Sequence, residues 1–180
     1  MRLFIGIPLA DSIVNELAEF TQQLRAPGDG LRWSVAAGWH ITLQFLGSAT
    51  AEQCACVAAH LGEINESSFP IQLEPPSFFD RTGVFFVGVQ LSTQLGALRK
   101  LVTAATAQCG FIAEDRSYHP HITLARGKGG RAALIALKPR IQNVPSLSSF
   151  VADEFLLYES FPGVGESRYE VRKRFSLQVG

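Results

Sequence analysis

Cysteine, methionine and tryptophan are scarce in this chain: three, one and two among 180 residues. Cys54, Cys56 and Cys109 are odd in number and follow no metal-binding spacing, so the sequence writes neither a zinc ribbon nor a disulfide framework. They are expected to be buried or idle thiols in a reducing compartment. Cys54-Ala55-Cys56 falls in an Ala-rich, helical stretch, which argues against a redox motif. An excess of either charge is missing too. Lys and Arg number 16 against 16 Asp and Glu, so nothing in the total points to a long nucleic-acid or membrane surface, and only a local basic pocket is left open. The apolar run Leu3–Leu9 is cut by Pro8 and Asp11, far too short to cross a bilayer and without the length or flanks of a signal peptide. A cytoplasmic protein is expected. Gly127-Lys128-Gly129-Gly130 lacks the spacing and trailing Lys-Ser/Thr of a phosphate-binding P-loop.

What is present is apolar material: 47% of the chain, with 13 phenylalanines. That composition builds a packed domain. Residues 2–9 read as a buried strand, and Ile13, Leu17, Phe20 and Leu24 recur at helical spacing behind a cap at Asp11 or Ser12. A short strand is expected over Leu31–Val35, and a longer one over Trp39–Leu46, stopped by Gly47. The stretch from Thr50 to Glu63 reads as a helix. Ile71–Phe79 and Val84–Leu91 form a strand pair turning at residues 80–83. A second long helix runs from Leu95 to Cys109 with Gly110 as its stop. His121–Ala125 is a strand and Ala132–Leu137 a short helix. Phe150–Tyr158 and Tyr169–Val179 close the chain as strands.

A repeat lies beneath this pattern. His40-Ile41-Thr42-Leu43 recurs unchanged 81 residues later as His121-Ile122-Thr123-Leu124. Two copies at about half the chain length indicate a duplicated α+β unit and not a solenoid. Side chains alternate along a strand, so each copy buries Ile and Leu on one face and offers an imidazole and a hydroxyl on the other. If the two units face each other, two His and two Thr converge on one cleft. Two imidazoles, each titrating near ~6.5, supply both a base and an acid at neutral pH. One takes the proton of an attacking water, the other protonates a departing ribose oxygen, and the threonines donate to phosphoryl oxygens. Such chemistry needs neither metal nor cofactor.

The two motifs in their contexts, WHITLQFLG (Trp39–Gly47) and HPHITLAR (His119–Arg126), resemble the two-histidine phosphoesterase superfamily, specifically its LigT-like branch of RNA 2′,3′-cyclic phosphodiesterases. RLFIGIPL at the start, Arg32-Trp33-Ser34-Val35, and Leu157–Val171 at the end carry the resemblance over essentially the whole chain. It implies one domain over residues 1–180 made of two pseudo-symmetric lobes. Each lobe would hold an antiparallel sheet with helices outside, around a central cleft. It implies hydrolysis of 2′,3′-cyclic phosphates of RNA ends or nucleotides to 2′-phosphates, with 2′–5′ ligation as the reverse in some members. His40 would be the acid toward the 3′ oxygen and His121 the base, with Thr42, Thr123 and Arg126 on the phosphate. A monomer is expected.

Strict alternation sets Arg126 opposite His121, so either the strand ends or bulges before it or the side chain reaches around the edge, and Gly127 favours the first. Phe45 and Trp33 are candidate nucleobase contacts, although Phe45 shares the parity of Ile41 and Leu43, which argues for the core. His119 is read as peripheral, His60 as a helix-surface residue, and Tyr158, Ser160 and Tyr169 as structural. The runs Lys138-Pro139-Arg140 and Arg172-Lys173-Arg174 are read as solvated faces. Three rival functions remain: a zinc hydrolase using His40, His119 and His121; a non-catalytic RNA-end module; and a related phosphodiesterase for 2′–5′ oligonucleotides or ADP-ribose cyclic phosphate.

Overall fold

The protein is described by a computed structural model covering residues 1–113, 115, 117–128, 131–142, 144, 146–163 and 168–179. Its fold is α+β, with two four-stranded antiparallel sheets. In the first, β1 (Arg2–Pro8) lies between β3 (His40–Ser48) and β9 (Glu154–Phe161), with β10 (Arg168–Ser176) outside β9. In the second, β7 (His121–Gly127) is flanked by β2 (Leu31–Trp33) and β6 (Val84–Val89), with β5 (Leu73–Phe79) outside β6. A two-stranded ribbon pairs β4 (Phe69–Ile71) with β8 (Phe150–Ala152).

The helices follow the apolar periodicity. α1 (Asp11–Leu24) buries Ile13, Leu17, Phe20 and Leu24, and its cap position is Ala10, with no capping side chain. Asp11 sits instead in the first turn, where a carboxylate faces the positive helix end. α2 (Ala51–Leu61) starts at a reciprocal capping box between Thr50 and Gln53. It packs on α3 (Thr93–Ala107), which in turn packs on β3. α3 is closed by Gly110, whose φ of 83° suits a residue without a β-carbon. α4 (Arg131–Leu137) lies against β7.

Several boundaries differ from the sequence reading. Gly47 does not stop β3: it takes φ 73° inside the strand, still paired with Leu3. Only the first three residues of Leu31–Val35 are a strand. Ile71 belongs to the ribbon, and Asp153 divides Phe150–Tyr158 between β8 and β9. Residues 129 and 130 of the Gly-rich loop lie outside the described residues.

The cysteine expectation is corrected more sharply. Cys56 on α2 and Cys109 just past α3 form a disulfide with Cα atoms 5.9 Å apart, and Cys54 alone stays free. Nothing in the spacing shows this, because the packing of α2 on α3 is what brings together two residues 53 apart.

Candidate active site

The two strands carrying the repeated tetrapeptide lie beside each other where the sheets meet. Each His is fixed in the same way: Nδ1 of His40 bonds the Gly38 carbonyl at 2.8 Å, and Nδ1 of His121 bonds the His119 carbonyl at 2.7 Å. A carbonyl only accepts, so Nδ1 donates in both rings, and in the neutral ring Nε2 carries the lone pair. Both rings are framed by aromatics. Phe4, Tyr169 and Tyr158 stand 4.6, 5.4 and 5.8 Å from His40, and Phe79 and Phe86 stand 5.0 and 5.3 Å from His121.

The two strands share a second feature, which sets the direction of the residues beyond each motif. The pairing of β3 with β1 slips where Ile5 opposes Gln44 and Gly6 opposes Thr42, and Leu43 and Gln44 are consecutively buried. The pairing of β7 with β6 slips equivalently, Phe85 opposing Ala125 and Phe86 opposing Thr123, with Leu124 and Ala125 both buried. A bulge inserts one extra residue and reverses the alternation beyond it. Residues five after each His therefore rejoin the His and Thr face. Phe45 and Arg126 are those residues, both exposed, and both border the cavity that holds the histidines. Of the alternatives for Arg126 the bulge is the one found, within a strand that runs on to Gly127, and one expectation is corrected: Phe45, at 55% exposure, is not in the core. The buried Gln44 that the bulge creates accepts a 2.8 Å hydrogen bond from Thr106 of α3.

The cavity brings together His40, Thr42, Phe45, His121, Thr123 and Arg126. Trp33 also borders it, but its indole N–H donates to Asp29 at 2.9 Å and Arg25 lies over its ring, so it is a braced wall. Residues not singled out for the cleft complete it: Arg32 on β2, Ser34 just after that strand, and Tyr169 from β10. Tyr158 is a core residue stacked on Phe4, with burial holding its hydroxyl pKa well above the ordinary value. Ser160 pairs with Tyr169 across the strands and does not border the cavity. His119 is exposed, and His60 faces Glu63 at 3.6 Å on the surface of α2.

The electrostatics of His40 are set mainly by burial, which pushes its pKa down to about 4. The Gly38 carbonyl opposes that shift and His121 adds to it. Free of ligand, His40 is thus neutral at neutral pH. As for metal ligands, the three histidines of the zinc reading do not form a cluster. Among the described residues the ligand atoms that group within 4.8 Å belong to Cys56, His60 and Cys109, two of which are disulfide-bonded.

Two antiparallel sheets, each presenting a His-x-Thr strand to one shared cavity, make this a two-histidine phosphoesterase of LigT-like architecture. The model of the 2′-5′ RNA ligase superfamily matches residues 13–160, and the chain belongs to that superfamily. It is 28% identical to an RNA 2′,3′-cyclic phosphodiesterase of Escherichia coli over 98% of this chain and 96% of that one. It is 30% identical to the protein of the same name in Bacillus subtilis, over 87% and 86%. The crystal structure of E. coli LigT with 3′-AMP superposes with a TM-score of 0.82 at 28% identity, covering 98% and 97% of the two chains.

Proposed function

We propose that this protein hydrolyses 2′,3′-cyclic phosphates, on RNA ends or on nucleotides, to 2′-phosphates. His40 and His121 are the acid and base. The observation that carries the reading is the matched presentation of the two imidazoles. Each is held by Nδ1, each exchanges its proton through Nε2, and Thr42, Thr123 and Arg126 border the same cavity. Water attacks phosphorus as His121 Nε2 takes its proton. The bond to the 3′ oxygen breaks as His40 Nε2 delivers a proton to it, and the phosphate stays on the 2′ oxygen. The threonine hydroxyls and the Arg126 guanidinium stabilise the charge gathering on the non-bridging oxygens.

His40 reaches its acid form in the complex. Alone it is neutral, but an anionic phosphate at its Nε2 favours the imidazolium and raises the pKa that burial lowered. The resemblances to cyclic phosphodiesterases of two bacteria support the substrate class. The same chemistry with a 5′-hydroxyl in place of water joins two RNA ends 2′–5′. A monomer in the cytoplasm fits this role.

The test is incubation with a 2′,3′-cyclic nucleotide in excess EDTA, separating 2′- from 3′-phosphate products. A 2′-phosphate is expected, with turnover falling about 10²–10⁴-fold in His40→Ala and in His121→Ala. A 3′-phosphate product, or full turnover in either variant, would overturn the assignment.

A further inference from the structure

The cavity that holds both histidines measures about 140 Å³. That is room for a phosphate and part of a ribose, well below the roughly 300 Å³ at which ligand-sized sites begin. It does not end there. Thr42, Phe45, His121 and Arg126 also border a second groove of about 820 Å³, which runs over the segment before β7 toward α3. Arg81, at the β5–β6 turn, and Arg99, on α3, are cationic residues of its wall.

Arg99 is built into that wall. Its guanidinium lies 4.5 Å from the centroid of the Tyr118 ring, and the Tyr118 hydroxyl donates a 2.8 Å hydrogen bond to the Thr42 carbonyl. A chain of contacts thus ties the arginine to the first motif strand. Arg99 is only partly exposed, its Nε is buried with no hydrogen-bond partner, and no carboxylate pairs with it among the described residues. Arg81 and Arg126 likewise have no acidic partner among the described residues, whereas Arg168, Arg172 and Arg174 on β10 each have one. Asp80, the carboxylate on the groove, is engaged by Lys138 at 3.0 Å. A partly buried, oriented and unpaired arginine calls for an anion.

We propose that this groove takes the RNA strand immediately upstream of the cyclic phosphate, with Arg99 as the ligand of its first internucleotide phosphate. The proposal rests on the cyclic phosphodiesterase reading and names the form of substrate the site prefers. An RNA end always carries an upstream phosphodiester, and the small catalytic cavity leaves it to exit through a neighbouring groove. The groove that shares four residues with the cavity and has unpaired arginines matches that strand in charge. Phe79 on its wall, stacked on Phe86 and partly exposed, is the ring best placed to meet an unpaired base, whereas Phe78 lies between Phe85 and Lys138. A cyclic mononucleotide has no phosphate to place there.

The experiment compares kcat/KM for a 2′,3′-cyclic mononucleotide with that for a trinucleotide ending in the same cyclic phosphate. Wild type, Arg99→Met and Arg99→Lys are each measured at several salt concentrations. The wild type is expected to prefer the trinucleotide through a lower KM. Arg99→Met is expected to reduce that preference about tenfold, and Arg99→Lys to reduce it less. The slope of log kcat/KM against log salt for the trinucleotide should flatten by about 0.7, the share of one single-strand phosphate contact. Turnover of the mononucleotide reports a folded cleft in every variant. No wild-type preference, or equal loss on both substrates in Arg99→Met, would overturn the proposal while leaving the cyclic phosphodiesterase reading intact. A loss confined to joining of a second, 5′-hydroxyl strand would also overturn it, by giving the groove to the acceptor. No wild-type turnover of either substrate would instead sink the underlying reading.

Discussion

His40 and His121 stand in the same tetrapeptide and are fixed through the same nitrogen, and yet His40 has been taken out of the ordinary imidazole range by its surroundings. Burial lowers its pKa to about 4, with two measurable consequences. Free-enzyme groups govern kcat/KM and bound-state groups govern kcat. As the acid, His40 must carry its proton to act, so its titration limits activity as pH rises, and the alkaline limb should lie at higher pH in kcat than in kcat/KM because the bound phosphate stabilises the imidazolium that burial disfavours. An alkaline limb of kcat no higher than that of kcat/KM would refute this ordering. The second consequence is on stability. Unfolded, His40 takes up a proton near ~6.5; folded, it does so only near 4. Its contribution is fully present above about 6.5 and is lost as pH falls toward 4, amounting to at most about 3 kcal/mol. Urea unfolding at about pH 7 and about pH 4.5, either side of that window, should show a smaller acid-side loss in His40→Asn than in wild type. An identical loss in both would mean that His40 is not desolvated.

Strands set the aim of these side chains. β1 passes so close beneath β3 that a β-carbon on Gly6 would lie 2.9 Å from the Ile41 carbonyl and 3.2 Å from His40 Cδ2. Gly6 is thus the space into which the His40 ring settles. Gly6→Ala should cost about 1–3 kcal/mol of stability as an overpacking change. It should also lower kcat about 10²-fold, the usual result of a misplacement near 1 Å. Kinetics on the purified, folded variant test it; wild-type kcat would show that the ring position tolerates the shift. The bulges act at this scale as well. One inserted residue in each motif strand turns Phe45 and Arg126 toward the cleft, and at the first bulge Thr106 of α3 donates to the oxygen of the buried Gln44.

Across the whole molecule, the two sheets share one continuous core, and the Cys56–Cys109 disulfide staples α2 to the end of α3. Closing a loop of 53 residues stabilises the fold by about 4 kcal/mol in the chain-entropy model. The Cys56→Ser, Cys109→Ser double variant should lose stability on that order in urea unfolding under oxidising conditions, and match the reduced wild type. Equal stability of variant and oxidised wild type would mean that the bond adds nothing to the packing of the two helices. Both cysteines stand apart from the residues bordering the cavity, so turnover on a cyclic mononucleotide should change little.

The chain by itself determined the α+β class, most of its helices and strands, and the two histidines with their threonines. Those follow from local apolar periodicity and from a repeat of four residues, which need no knowledge of distant neighbours. The place of Arg126 beside the cavity was legible only through resemblance, because alternation pointed it the wrong way. Phe45 was misread toward the core for the same reason. A bulge is a property of two paired strands, and its position depends on how β1 and β6 align with the motif strands. The disulfide, the lowered His40 pKa and the Arg99–Tyr118 wall arise from helices and loops far apart in the chain. Only tertiary structure decided them, since desolvation and contact between remote residues exist only once the chain has folded.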